Sequence, residues 1–157
     1  MMATIPPEYL ATFSRFMQAP PVDVQGCAQA IGLPIYSLRL PPGVSGMLKR
    51  RPDGNFECYV DQTEPSVRQR FTAAHELGHF VLHRDSIGET HEDNYRLRAQ
   101  GMTNWQETQA NQFAADLLMP YDILDNAMAS GTTSVSALAR LFQVSEIAMS
   151  IRLGLPT

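Results

Sequence analysis

The segment FTAAHELGHFVLHRD, residues 71–85, contains His75-Glu76-Leu77-Gly78-His79. This is the HExxH pattern that zinc peptidases use, and it limits what the chain can fold into. Two imidazoles four residues apart leave one face of an α-helix one turn from each other, so both can reach one metal ion. In any other conformation they diverge. Glu76 follows the first histidine and lies beside such an ion, where a carboxylate can take a proton from water. A working site therefore needs a helix through this segment, a third ligand from elsewhere, and a cleft. The helix is legible. Phe71, Ala74, Leu77, Gly78, Val81 and Leu82 recur at helical spacing after a start marked by Asp61, Glu64 and Pro65, which predicts a helix running through His83.

The surroundings of this helix read as one domain. The chain has 157 residues, of which 44% are hydrophobic, enough for a single core. A net charge of −4 provides no general attraction to nucleic acid, and Lys49-Arg50-Arg51 reads as a solvated strand end. No apolar run of about 18 residues occurs, and the N-terminus has no basic lead or cleavage site, so neither a membrane span nor a signal peptide is expected. Cys27 and Cys58 lack CxxC spacing and read as buried free thiols in a reducing, cytoplasmic setting.

Along the chain, Leu10, Phe13, Phe16 and Met17 mark a first helix, and Asp23 caps a second that ends before Gly32. Three strands follow, at Ile35–Leu40, Gly46–Arg51 and Phe56–Val60, the last two joined by the turn Pro52-Asp53-Gly54-Asn55. Residues 86–102 are polar and read as irregular, with a helical turn near Tyr95. Thr103-Asn104 caps a helix from Trp105 to Met119, and three further helices occupy 121–129, 134–142 and 145–153.

Four side chains compete to be the third ligand. His83 shares the helix with His75 but is about 12 Å along it, too far to converge on the same ion. A second role, behind a ligand or facing substrate, suits it better. Asp85 would serve if the chain turned at position 82, but Leu82 prolongs the helix where Gly would be needed. His91 is available on the following segment without supporting context. Glu107 lies on a separate helix 28 residues after His79, on a face where Ala110 and Ala114 permit close approach, as does Gly78 on the first helix. Spacing leaves Glu107 with two readings, a metal ligand or a first-turn acid favoured by the helix dipole. Asn111, one turn further on, can orient a ligand or cap backbone.

RFTAAHELGHFVLHRD (residues 70–85) and ETQANQFAADLLMP (residues 107–120) together resemble the ImmA/IrrE family of bacterial and phage metallopeptidases. LARLFQVSEIAMSIRL (residues 138–153) is similar to that family's terminal helix pair, while the first 30 residues are not diagnostic. The likeness implies one Zn²⁺ per chain held by His75, His79 and Glu107, with Glu76 as the catalytic carboxylate. It implies an α+β, zincin-like fold of the gluzincin type: a lobe with a three-stranded sheet and the HExxH helix, approximately 1–119, then a helical C-terminal subdomain, 120–157. It also implies a narrow-specificity endopeptidase whose substrate is an Xre-type helix-turn-helix repressor or antitoxin. The alternative is a non-proteolytic toxin, effector or binding partner of such a regulator in a toxin-antitoxin or mobile-element operon. Ending at Thr157, the chain reads as the short form, without a C-terminal sensor domain.

His83, His91 and Tyr95 are candidate helpers in catalysis. Their plainer readings are a helix-end histidine, a solvated loop histidine and a packed tyrosine. The terminal helix pair has helix-turn-helix character, with Ser145 as N-cap, but its second helix offers only Arg152 as a cation, so direct DNA binding is not expected.

Overall fold

A computed structural model describes residues 4–93 and 101–157. Helix α1 (Pro7–Phe13) runs into a 3-10 turn and is followed by α2 (Val24–Ala30), whose N-cap Asp23 accepts from the Gly26 amide at 2.9 Å. Strands β1 (Ile35–Leu38), β2 (Gly46–Arg50) and β3 (Phe56–Asp61) come next, then the long helix α3 (Ser66–Leu82). Strand β4 (Thr90–Asp93) precedes α4 (Asn104–Leu118), α5 (Tyr121–Ala129), α6 (Val135–Phe142) and α7 (Glu146–Arg152).

The α+β architecture agrees with the sequence, with one correction to the sheet. Among the described residues it has four strands, in the order β1-β3-β2-β4, rather than three. The unexpected strand lies inside the segment read as irregular. Thr90-His91-Glu92-Asp93 has no strong strand propensity of its own. Its ladder comes from β2, which pairs with it antiparallel, Leu48 opposite His91 and Gly46 opposite Asp93. Pairing sets a two-residue alternation in which His91 and Asp93 are buried and Thr90 and Glu92 exposed. Tyr95 lies outside the described residues.

Helix α3 lies across the buried face of the sheet, with Ala73, Ala74, Leu77 and Phe80 against a core that includes Leu48, Cys58 and Val60. It stops at Leu82, with His83 as C-cap, one residue short of the expected end. Its start differs too. Pro65 stands at the N-cap without a side-chain bond, and Asp61 instead closes a turn by accepting from the Thr63 amide at 3.1 Å. Two glycines set how closely α3 can be approached. A Cβ at Gly78 would lie 3.1 Å from the Phe113 ring on α4, and one at Gly46 would lie 2.5 Å from Thr72 Cγ2 and 3.2 Å from Glu76 Cγ. Without those two absences, neither α4 nor β2 could lie where it does.

Helix α4 begins with a full capping box, Thr103 with Gln106, which puts Glu107 in its first turn. Phe113 faces α3 at Gly78, and with Leu117, Leu124, Leu138, Phe142 and Met149 it belongs to the buried core. Arg152 at the end of α7 is buried. It donates to Asp116 Oδ1 at 2.9 Å and to the Met119 carbonyl at 2.9 Å, with its guanidinium 3.8 Å above the Tyr121 ring. The one cation on that helix is thus turned inward. Ile147 and Ile151, both about two-thirds exposed, occupy the solvent face of α7. Cys27 and Cys58 are free and buried, and burial raises the Cys27 thiol to about 12. No helix among the described residues is long and apolar enough to cross a membrane.

Removing one partner of a buried ion pair leaves the other charge uncompensated. Arg152→Ala is expected to cost about 3–5 kcal/mol in denaturant unfolding. Replacing Asp116 and Arg152 together with apolar residues of similar size is expected to recover most of that loss.

Candidate metal centre

Helicity of α3 brings His75 and His79 to one face, with Nε2 atoms 3.1 Å apart. The first turn of α4 brings Glu107 across to both: Oε1 is 3.1 Å from His75 Nε2, and Oε2 is 3.2 Å from His79 Nε2. All three residues are buried. The structure therefore joins the two sequence motifs at a single point. His83 is not part of that cluster, and Asp85 is exposed in the 3-10 turn after α3.

The other ring nitrogens fix the direction of the lone pairs. His75 Nδ1 is 2.8 Å from Asn111 Oδ1. With that oxygen accepting, Nδ1 carries a proton, so Nε2 is the nitrogen that faces Glu107, donating to it while protonated and free to bind a metal once that proton is lost. On the second histidine the same result comes through a relay. His83 Nε2 is 2.8 Å from Gln109 Oε1, and His83 Nδ1 is 2.9 Å from His79 Nδ1. If Gln109 accepts, His83 Nε2 donates and its Nδ1 must accept, so His79 Nδ1 donates and His79 Nε2 is left free. His83 thus orients an imidazole from behind, and Asn111 does the same for the other.

Two further side chains arrive from β4. Asp93 Oδ2 lies 2.5 Å from His75 Nε2 and 4.0 Å from His79 Nε2. His75, His79, Asp93 and Glu107 consequently form a buried group whose ligand atoms all lie within 4.8 Å of one another. Glu76, His79, His91 and Asp93 form a second such group. The His91 ring centroid is 4.8 Å from that of His79, and its Nε2 has no hydrogen-bond partner. Neither Asp93 nor the orienting Gln109 was singled out by sequence reasoning. The available signal for Asp93 was a two-residue period, His91-x-Asp93, in a polar stretch too short to call a strand.

Electrostatics mark the centre as made for a cation. Glu76, Asp93 and Glu107 are three buried carboxylates clustered, among the described residues, with the imidazoles of His75, His79 and His91. Burial disfavours charge on His75, but the carboxylates of Asp93 and Glu107 overcome it and raise the imidazole to about 10. Burial would raise Glu107, yet its bonds to His75 and His79 hold it well below the usual carboxylate range. Burial dominates at His79, lowering it, and at His91, lowering it to about 4 with help from His79. Glu76 is fully buried, with neither oxygen hydrogen-bonded, and burial pushes it well above the ordinary range despite the opposing pull of His75. The donor set, two imidazole Nε2 atoms gathered with the carboxylates of Glu107 and Asp93, fits a divalent metal ion.

The family model described as the IrrE N-terminal-like domain, Peptidase M78, matches residues 33–154. Among solved structures, one titled "Mycobacterium tuberculosis transcriptional regulator" superposes with a TM-score of 0.64 at 18% identity. That match covers 98% of this chain and 48% of the other, so the chain spans about half the length of its structural neighbour. No curated protein matches at a significant level.

A metal ligand must be an unprotonated imidazole, whereas against the pull of burial the carboxylates of Asp93 and Glu107 raise His75 to about 10. Metal uptake at pH 7–8 is therefore expected to release about one proton per ion, and affinity is expected to rise with pH across that range. Calorimetric titration in buffers of different ionisation enthalpy measures the release directly. Asn111→Ala is expected to weaken binding by about 10–100-fold by freeing the His75 ring to rotate and change tautomer.

Proposed function

This chain belongs to the IrrE N-terminal-like Peptidase M78 family, and we propose that it acts as a zinc-dependent endopeptidase with narrow protein specificity. One observation carries the reading. The Nε2 atoms of His75 and His79 and the Glu107 carboxylate converge on one point, and Glu76 is buried beside it with both oxygens unpartnered. Two histidines and a glutamate are the protein ligands of one class of catalytic zinc site. A zinc ion held this way acidifies water and polarises a peptide carbonyl. Glu76 supplies the proton chemistry. Buried beside Gly46 and next to His75, it would take a proton from the attacking water at a carboxylate oxygen and deliver it to the departing amine.

The surroundings suit an extended peptide. Strand β4 is the outer strand of the described sheet and borders the centre. Its inner edge is paired to β2, with the Ser45 amide donating to the Asp93 carbonyl at 2.8 Å. Strand alternation then turns the backbone groups of Thr90 and Glu92 outward, where a substrate strand can pair with them. From Asn111 an open groove runs past Thr108, Phe71 and Ala148 to Ile151, offering apolar contact for side chains on the far side.

The substrate class we favour is an Xre-type helix-turn-helix regulator, a choice that rests on the resemblance of the two linked motifs. Direct DNA binding has little support, because Arg152 is committed to Asp116 and the exposed face of α7 is apolar. The two buried free thiols are compatible with a reducing, cytoplasmic setting. A second reading, binding and inactivating a regulator without cutting it, draws on the neighbour of the same fold that is titled a transcriptional regulator.

Glu76→Gln separates the two. Zinc content should remain at one ion per chain while cleavage of a co-expressed regulator falls by at least about 100-fold. Survival of regulator inactivation in that variant would favour the binding reading. Glu107→Ala is expected to lose both zinc and cleavage.

A further inference from the structure

The geometry points to Asp93 as a fourth protein ligand of the metal centre, occupying the position that a catalytic zinc ion keeps open for water. This rests on the metal-centre reading above and concerns the state of that centre. A carboxylate that only orients a metal-bound histidine sits on the ring nitrogen the metal does not use. On His75 that nitrogen, Nδ1, is already taken by Asn111. Asp93 lies instead on the Nε2 side, the same side as Glu107. Its Oδ2 also lies 4.0 Å from His79 Nε2, so it faces both imidazoles from the metal side. Ligand atoms about 2.0–2.2 Å from a tetrahedral ion lie about 3.3–3.6 Å from one another. The distances among His75, His79 and Glu107 are 3.1–3.3 Å, close to that spacing, while Asp93 Oδ2 lies 4.0 Å from His79 Nε2 and in hydrogen-bond contact with His75 Nε2, so a small shift of its carboxylate would complete the set.

The fold holds Asp93 there for reasons unrelated to its side chain. Strand β4 is registered on β2 with Gly46 opposite Asp93, and the alternation that buries His91 also buries Asp93. Gly46 is the residue whose missing Cβ makes room for Glu76. One pair of facing positions therefore seats both the proposed base and the proposed fourth ligand.

Four protein ligands make a closed centre, the arrangement of structural zinc sites, whereas three with an open position are characteristic of catalytic ones. The conformation described is then a resting one. Catalysis requires the Asp93 carboxylate to give up its place to water, with His75, His79 and Glu107 retained. The freed Asp93 would remain beside Glu76, in the second buried group that the two share with His79 and His91.

The test uses the full chain loaded with zinc, and separately with Co²⁺ as a spectroscopic substitute. Wild type, Asp93→Asn, Asp93→Ala and Glu107→Ala are compared by competition with a chromophoric chelator, with thermal unfolding of the metal-free proteins as a check on folding. Wild-type Co²⁺ protein should show the intense visible absorption of a four-coordinate site and resist perturbation by azide. Asp93→Ala should bind zinc more weakly by about 100-fold or more, beyond the loss expected for an orienting group. Its cobalt spectrum should change and respond to azide at low concentration, with Asp93→Asn intermediate. An Asp93→Ala protein that folds, binds zinc as tightly as wild type and gives an unchanged cobalt spectrum would overturn the assignment. If instead wild type binds no metal that Glu107→Ala loses, the metal-centre reading itself fails, and the two failures are thereby distinguished.

Discussion

Gly78 and Phe113 meet where α3 crosses α4, and the contact leaves no space for a methyl group: a Cβ at 78 would lie 3.1 Å from the ring. The geometry of the candidate metal centre depends on that approach. Both histidines lie on α3, and Glu107 lies in the first turn of α4. Their side chains are short, so the helices must be nearly in contact for a carboxylate to reach two imidazole nitrogens at 3.1–3.2 Å. A larger residue at 78 would separate the helices and pull Glu107 away while leaving every polar residue of the site in the chain. Gly46 plays the matching part on the other side of α3, where the sheet must come close enough to cover Glu76.

Burial then decides the chemistry. Three carboxylates enclosed with imidazoles cannot all be charged without a compensating cation. A proton on His75 can supply part of that charge, and despite burial the bonds to Asp93 and Glu107 raise its affinity for protons to about 10. A divalent ion can supply the same compensation in the same place. Glu76 is fully buried, and burial disfavours its charged form, so it holds a proton more strongly than a surface carboxylate does. The Asn111 and His83–Gln109 contacts keep the imidazoles in the tautomer that leaves Nε2 available. Asn111 and Gln109 lie on α4 beside Glu107, so the helix that brings the carboxylate also contacts His75 directly and His79 through His83 at the end of α3.

Much of this was legible in the amino-acid sequence. Helical periodicity placed α3 and its histidines, turn and capping residues placed the hairpin and α4, and small residues at Gly78, Ala110 and Ala114 marked the faces that meet. Glu107 was singled out because it sits on such a face, although spacing alone left it undecided between ligand and first-turn acid. The strand that carries Asp93 was not legible. Thr90 to Asp93 is polar and four residues long, and it becomes a strand only because β2 offers an unpaired edge. Gln109 escaped notice for a related reason: its role exists only through His83, which local pattern showed to be off the metal but could not connect to a partner.

By itself the sequence determined the local matters, namely which segments are helical and which histidines share a face. These follow from periods of 3.6 and 2 residues and from capping chemistry, all within a few turns of the chain. Only the tertiary structure decided which carboxylates come to the histidines, which ring nitrogen each partner occupies, and which groups lose their water. Those outcomes depend on distances of about 3 Å between segments far apart in sequence, set by how closely α3, α4 and the sheet can pack. A pattern read along the chain contains no such distance.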